Sequence, residues 1–181
     1  MKRILLALAV AFALVSGTAP AQTRFGLSAA DYALASEWLR STCLAPDSGD
    51  LIGRLRARAA TLQPAFFAAV AEGPTEAEIA EVREGAAAIW RRQRQALDDP
   101  QLRDALPRER IEAFRGRSEE DFVRTEVANF VNGYRSNAMA GIAVVGDAAS
   151  IARLREIARG QDRAAAIAAQ GALALRESLP R

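Results

Sequence analysis

Arginine side chains and one tryptophan are concentrated in the middle of this chain, where their chemistry suits the binding of another molecule. Guanidinium groups form paired hydrogen bonds with carboxylates and phosphates, and they also stack on aromatic rings. The pattern predicts a cationic strip that meets an acidic partner or an anionic surface, with these candidate partner-binding residues: Trp90, Arg91, Arg92, Arg94, Arg108 and Arg110. Arg115 and Arg117 continue the same strip. The alternative is that neighbouring helices neutralise these charges across their exposed faces.

Few residues of the chain have the chemistry that catalysis requires. The sequence contains no histidine, which removes the commonest general base, the histidine-dependent nucleophile pairs and the zinc sites that use imidazole. Two acidic runs, at residues 98–99 and 119–121, are the candidates for a metal or acid–base role. Acidic side chains also cluster at helix starts, where they meet exposed amides and the positive end of the helix dipole. We interpret both runs as structural, and predict a non-catalytic protein with no catalytic, cofactor-binding or metal-binding residues.

The first 21 residues have the three parts of a secretory signal peptide. Lys2 and Arg3 precede an apolar run at residues 4–15, and small residues follow it as far as Ala21. A retained membrane anchor is the alternative, but a spanning helix needs about 20 apolar residues and this run is shorter. We expect cleavage after Ala21, export to the periplasm or the medium, and one mature helical domain at residues 22–181.

Export has two consequences for the mature chain, a neutral net charge and an unpaired cysteine. The precursor has 24 basic and 22 acidic residues, and removal of Lys2 and Arg3 leaves 22 of each. A neutral chain lacks the positive field with which general nucleic-acid binders attract phosphate, so we exclude a nucleic-acid partner. Cys43 is the only cysteine. We expect a buried thiol there, with a covalent dimer or a redox-sensitive thiol as alternatives.

Composition and capping residues predict helices along the whole mature chain. Alanine and long unbranched side chains lose little entropy in a helix, and the β-branched residues that favour strands are scarce. One helix is predicted to begin at Gln63 and Pro64, with the proline in its first turn. The other helix starts are indicated by capping residues: Ser28 with Asp31, Asp50, Thr75 with Glu78, Ser118 with Asp121, Asp147, and Asp162.

The helix predicted after Ser118 contains two features that need interpretation. Gly133 and Gly141 lie within its apolar stripe, which predicts either close packing of a neighbouring helix or a bend. Residues 141–147 resemble the first strand and turn of a nucleotide-binding unit, but no glycine follows to form a phosphate loop. We therefore predict helix here, and we expect Trp38 and Trp90 to pack in the core because both lie at helical spacing from other apolar residues.

The C-terminal part of the chain resembles helical repeats of the HEAT and armadillo class. Between residues 135 and 178, a helix that ends in Gly146 and Asp147 is followed by a helix with Ile151 and Leu154, a turn at Asp162 and an alanine-rich helix. A weaker parallel begins at residue 49, and residues 98–117 depart from the pattern. The resemblance implies an all-α fold of antiparallel helix pairs stacked as a short solenoid. An irregular small helical bundle is the alternative.

Two functions are compatible with these features. The repeat resemblance implies a non-catalytic protein-interaction scaffold or adaptor in the cell envelope, with another protein as its partner. The alternative is a chaperone-like or envelope-stress module that binds unfolded chains or anionic envelope material through the arginine-rich face. Binding by arginines weakens as salt rises, whereas binding in an apolar groove does not, so ionic strength distinguishes the two.

Overall fold

The computed structural model of the protein describes residues 24–41, 49–101 and 107–179. The expected signal peptide and Cys43 lie outside these ranges. Within them the chain is all-helical and contains no β-strand, which confirms the predicted all-α class. A 3₁₀ turn at Arg24–Gly26 precedes eight described helices: α1 (Ala29–Leu39), α2 (Gly49–Arg56), α3 (Ala59–Glu72), α4 (Glu76–Ala96), α5 (Arg108–Arg115), α6 (Glu119–Val145), α7 (Ala148–Ala158) and α8 (Arg163–Ser178).

Local hydrogen bonds at the helix starts explain why these segments begin where they do. Thr75 and Glu78 form a reciprocal capping box, in which the Thr75 Oγ1 accepts from the Glu78 amide at 3.1 Å and the Glu78 Oε2 accepts from the Thr75 amide at 2.7 Å. Side chains that accept from the first turn of the helix also confirm the predicted caps of α1, α6, α7 and α8: Ser28, Ser118, Asp147 and Asp162. Each cap satisfies an amide that has no partner within its own helix.

The start predicted at Gln63 and Pro64 is wrong, because α3 already begins at Ala59 and Pro64 lies inside it. Arg58 precedes the helix and makes no side-chain capping bond. The boundary therefore has none of the local chemistry that marks the other helix starts. Proline has no amide hydrogen, so Pro64 leaves one turn of α3 without its backbone hydrogen bond.

The long helix α6 organises the fold, since it packs against α1, α2, α3, α4, α7 and α8. Every residue from Asn137 to Val145 is buried, while no residue from 119 to 133 is buried. In a solenoid each repeat contacts only its neighbours, whereas a bundle shares a central helix. The shared position of α6 is that of a bundle helix, and a relationship to HEAT and armadillo repeats stays a prediction.

Two sets of contacts hold the buried half of α6 against α3 and α1. A Cβ placed on Gly141 would lie 2.8 Å from the Phe66 ring of α3, so only glycine lets these two helices approach so closely. On the other side, the Trp38 Nε1 of α1 donates to the Asn137 carbonyl at 2.7 Å. The Asn137 Nδ2 donates in turn to the carbonyls of Leu39 and Ser41, which lie where α1 ends. A buried amide side chain thus satisfies carbonyls that α1 leaves without a helical partner.

Arg24, the first described residue, ties the start of the fold to three helices. Its guanidinium donates to the Gly73 carbonyl and to the Tyr134 hydroxyl, the latter at 3.2 Å, and lies 3.5 Å from the Glu78 carboxylate.

No helix within the described ranges is long and apolar enough to span a lipid bilayer.

Candidate interaction site

An antiparallel arm extends from the packed body of the protein. We use "arm" for α4, α5 and residues 119–133 of α6. At one end of the arm Glu78 of α4 lies beside Arg24, which also binds Tyr134 of α6. At the other end the Arg91 Nη2 lies 2.6 Å from the Glu119 Oε1 at the start of α6. Because α4 packs on the unburied half of α6, side chains of the arm are more accessible than those of the body.

Three aromatic rings join the helices at the far end of the arm. The Trp90 and Phe114 ring centroids are 6.3 Å apart with planes inclined by 30°, and the Phe114 and Phe122 centroids are 6.4 Å apart in an edge-on arrangement. Each ring comes from a different helix, so the cluster fixes α4, α5 and α6 relative to one another. Such pairs contribute about 0.5–1.5 kcal/mol beyond the burial of their area.

A cleft of about 430 Å³ opens beside this aromatic cluster. We call it the tip cleft, and its lining residues are Trp90, Arg94, Arg115, Gly116, Arg117, Ser118 and Glu119. Three arginines and one glutamate therefore line the cleft, and the glutamate carboxylate is already bound to Arg91. The lining has a net positive charge and an aromatic wall, a combination that suits an anionic group attached to a flat or apolar one.

The arginines of the tip cleft are held by weak contacts that leave most of their donors available. Arg94 donates from Nη1 to the Arg115 carbonyl at 3.4 Å, and its guanidinium lies 6.0 Å from the centre of the Trp90 ring. The Arg117 guanidinium lies 4.9 Å from the centre of the Phe122 ring. Each guanidinium carries five N–H donors, so these contacts leave most of them able to bind a ligand.

Trp90 contributes an unusual polar group to the same region. Its indole nitrogen is buried and donates to no acceptor among the described residues. The second tryptophan, Trp38, provides the contrast, because its nitrogen donates to a backbone carbonyl in the core. A buried donor without a partner costs about 1–3 kcal/mol, so the packing of the Trp90 ring, and not a hydrogen bond, holds it in place.

The six residues predicted as one strip do not all face the tip cleft. Trp90 and Arg94 line it, and Arg91 lies beside it in the ion pair with Glu119. Arg108 points elsewhere and pairs with Glu112 of its own helix at 2.8 Å. The other two, Arg92 and Arg110, are exposed, and no ion pair or hydrogen bond joins them to another described residue.

Phe114 and Phe122 are not among the candidate binding residues that the sequence predicts. Their spacing along the helices predicts burial, but it does not indicate that Phe114 meets both Trp90 and Phe122. Contact between rings on three helices depends on the tertiary arrangement of α4, α5 and α6. The aromatic cluster beside the tip cleft is therefore visible only in the folded chain.

The acidic run at the start of α6 takes part in capping and ion pairing. The Ser118 hydroxyl donates to Asp121 at 2.8 Å, and this bond, with the nearby charge of Arg124, holds the pKa of Asp121 below its ordinary value. Glu119 pairs with Arg91. Among the described residues, no group of three or more histidine, cysteine, aspartate and glutamate side chains is arranged to hold a metal ion.

Comparisons with protein-family models, with curated proteins and with solved structures give no match to this chain. The chemistry of the arm and its tip cleft is therefore the basis on which a function is inferred.

Proposed function

We propose that this protein is an exported, non-catalytic interaction protein of the cell envelope that binds an acidic segment of another protein at the tip cleft. The observation that supports the proposal is the convergence of Arg94, Arg115 and Arg117 beside the aromatic wall. The carboxylate in the lining, Glu119, is engaged by Arg91, and no ion pair joins Arg94 or Arg115 to a described carboxylate, while the charge of Arg117 acts on Asp121 at the start of α6.

An acidic polypeptide segment matches both parts of this surface. Carboxylates accept paired hydrogen bonds from a guanidinium, and such charge-assisted bonds are stronger than those between neutral groups. The aromatic wall offers Trp90 as an apolar surface for the stem of an acidic side chain or for a neighbouring ring. Tryptophan and arginine are also the residue types that carry much of the binding energy in protein interfaces.

Export is the second part of the proposal, and it is supported by the leader pattern. Lys2 and Arg3, the apolar run and Ala21 match a secretory signal, and the anchored Arg24 lies three residues after the expected cleavage site. Intact mass spectrometry of the protein from cell fractions tests this part. A chain that begins at Gln22 in the exported fraction supports it, and a chain that retains Met1 in the cytosol refutes it.

A second candidate function is the binding of unfolded chains or anionic envelope material along the arm. Two exposed features favour it, the Ile89 side chain, which is 49% exposed, and the guanidiniums of Arg92 and Arg110. This candidate requires a broad surface with little selectivity, whereas the tip cleft requires one defined site.

The binding experiment uses the mature chain, residues 22–181, and a fluorescent oligoglutamate peptide as the probe. The tip variant replaces Arg94, Arg115 and Arg117 by glutamine. A matched control removes the same charge at exposed arginines that bind no other described residue, through substitutions of Arg83, Arg159 and Arg163. We expect binding that is lost in the tip variant, retained in the control and weakened by salt, because exposed charges are screened.

Each other outcome of this experiment argues against the tip cleft. Equal losses in the tip variant and in the control would show that the peptide follows net charge alone. Binding to vesicles that contain anionic lipid, without binding to the peptide, would favour the second candidate. If neither probe binds at low ionic strength, binding of an acidic segment at the tip cleft and binding of anionic envelope material are both refuted. When the peptide result is positive, capture from the native envelope with the same variants identifies the partner.

A further inference from the structure

A larger cavity lies at the opposite end of α6 from the tip cleft. Its volume is about 770 Å³, within the range of about 300–1,000 Å³ that is usual for small-molecule sites. We call it the end cavity, and its lining residues are Arg56, Ala59, Val144, Val145, Gly146, Ile151, Arg155, Leu173, Arg176, Glu177 and Leu179. The walls come from α2, α3, α6, α7, α8 and the residue that follows α8.

The lining of the end cavity combines apolar walls with a positive rim. Four of its large aliphatic side chains are buried, namely Val144, Val145, Ile151 and Leu179. The rim carries the guanidiniums of three arginines and the carboxylate of Glu177, a net charge of +2. A purely ionic ligand would leave the aliphatic walls in contact with water, and an uncharged one would not use the rim.

Arg176 is fixed at the point where α6 ends. Its Nη1 donates to the Ala143 carbonyl at 2.6 Å and to the Gly146 carbonyl at 3.1 Å. The carbonyls of a helix C-terminus carry partial negative charge, which would repel an anion. The positive charge of Arg176 compensates them, and the guanidinium is held in position while several of its N–H groups remain available.

Arg155 is the second arginine of the rim that could bind an anion. It is exposed on α7, and no ion pair or hydrogen bond joins it to a described residue. The turn between α6 and α7 sets its position relative to the cavity wall. Gly146 allows that turn, because a Cβ there would collide with the Ile142 carbonyl and would lie 2.9 Å from the Ser150 Cβ.

We propose that the end cavity binds a small amphipathic anion, a molecule with one carboxylate group and an aliphatic body. The carboxylate lies between Arg155 and Arg176, where it receives charge-assisted hydrogen bonds. The aliphatic body packs on Val144, Ile151 and Leu173, where burial of its surface contributes roughly 25 cal/mol per Å². This site is separate from the tip cleft and does not depend on the function proposed there.

The test is isothermal titration of the mature chain with dodecanoate, below the concentration at which dodecanoate forms micelles. Acetate tests the carboxylate without the chain, and dodecyltrimethylammonium tests the chain with the opposite charge. We expect one dodecanoate to bind per protein. Acetate and dodecyltrimethylammonium should each bind about tenfold more weakly or worse, because the first lacks the apolar contact and the second lacks the charge-assisted hydrogen bonds.

Variants locate the site. Arg155→Gln removes one rim charge at an exposed position, so the fold is retained, and we expect about tenfold weaker binding of dodecanoate. Arg159→Gln, at the exposed residue that follows α7 and outside the cavity lining, is the matched control and should bind like the wild type. Leu173→Trp fills the cavity from a half-buried position and should abolish binding while the helical content stays unchanged.

Three results would overturn the proposal. Dodecanoate that binds at many weak sites, or no better than dodecyltrimethylammonium, would indicate adsorption on exposed apolar surface. Equal affinities of Arg155→Gln and the wild type would remove the role of the rim. Unchanged binding in a folded Leu173→Trp protein would place the ligand elsewhere. The tip variant described above serves as an independent control, because it should bind dodecanoate normally.

Discussion

Two glycines of α6 provide a direct test of how the body of the protein is packed. Gly133 and Gly141 lie in the same helix, and replacement of either by alanine raises helix propensity by about 1 kcal/mol. Their surroundings differ, because a Cβ on Gly133 would meet no atom within 4 Å, whereas a Cβ on Gly141 would lie 2.8 Å from three atoms of the Phe66 ring. The two substitutions should therefore have different effects on stability.

The magnitude follows from the distance between the new Cβ and the ring. Ordinary contacts begin at 3.4 Å, so the Phe66 ring would have to withdraw by about 0.6 Å. Phe66 is 0% exposed, so its ring can withdraw only by displacing neighbouring core side chains. Overpacking of this kind costs about 1–3 kcal/mol. We expect Gly133→Ala to raise the free energy of unfolding by about 1 kcal/mol. The free energy of unfolding of Gly141→Ala should be about 1–3 kcal/mol lower than that of Gly133→Ala.

The assay is urea unfolding of residues 22–181, followed by far-ultraviolet circular dichroism. The difference between the two variants cancels the propensity gain and isolates the contact with Phe66. A Phe66→Leu background should reduce that difference, because the smaller side chain makes room for the methyl group. Equal stabilisation by both alanines in the wild-type background would refute the close packing of α3 against α6.

Substitutions at Trp38, Tyr134 and Asp147 test three further interactions. Trp38→Phe should cost about 1–3 kcal/mol more than Trp90→Phe in urea unfolding, because only Trp38 donates a buried hydrogen bond to Asn137; equal costs would contradict this. Burial raises the pKa of Tyr134 to about 12, so its hydroxyl ionises in the unfolded chain before it ionises in the folded one. The free energy of unfolding should therefore stay constant up to about pH 10 and then fall by about 2–3 kcal/mol. Tyr134→Phe should remove most of that alkaline loss. If the stability of the variant still falls as steeply above about pH 10, the loss does not come from Tyr134. A hydrogen bond from the Ser150 amide holds the pKa of Asp147 below its ordinary value, so its contribution is present near neutral pH and is lost as pH falls through the lowered pKa. Asp147→Asn should retain the cap of α7 and weaken this acid dependence, while Asp147→Ala should lower the urea midpoint at neutral pH.

Local chemistry explains which helix boundaries the sequence predicts. Ser118 and Thr75 accept hydrogen bonds within their own first turns, so a short stretch of sequence contains all the information needed. The start of α3 after Arg58 has no such signal, and the start that the sequence predicts, at Gln63 and Pro64, is wrong. Gly133 and Gly141 both lie within the apolar stripe that the sequence predicts, but only at Gly141 would a Cβ meet the Phe66 ring of another helix. Predictions fail where the decisive contact comes from a distant part of the chain.

The same reasoning applies to the arginine strip. Neighbouring residues on a helix are separated by about 100° of rotation, so Arg91 and Arg92 project in different directions from α4. The sequence shows their clustering, but the positions of α5 and α6 determine that Arg91 binds Glu119 while Arg92 remains exposed. Trp90 was expected in the core, and in the structure it is half-buried at the far end of the arm.

The chain has two tryptophans, and their indole N–H signals in a nitrogen–proton correlation spectrum report separately on the tip cleft and on the core. Titration of the ¹⁵N-labelled mature protein with unlabelled oligoglutamate peptide tests the proposed function most directly. We predict that the Trp90 signal moves in a saturable way while the Trp38 signal stays in place. A stationary Trp90 signal at peptide saturation, or equal movement of both signals, would contradict binding at the tip cleft.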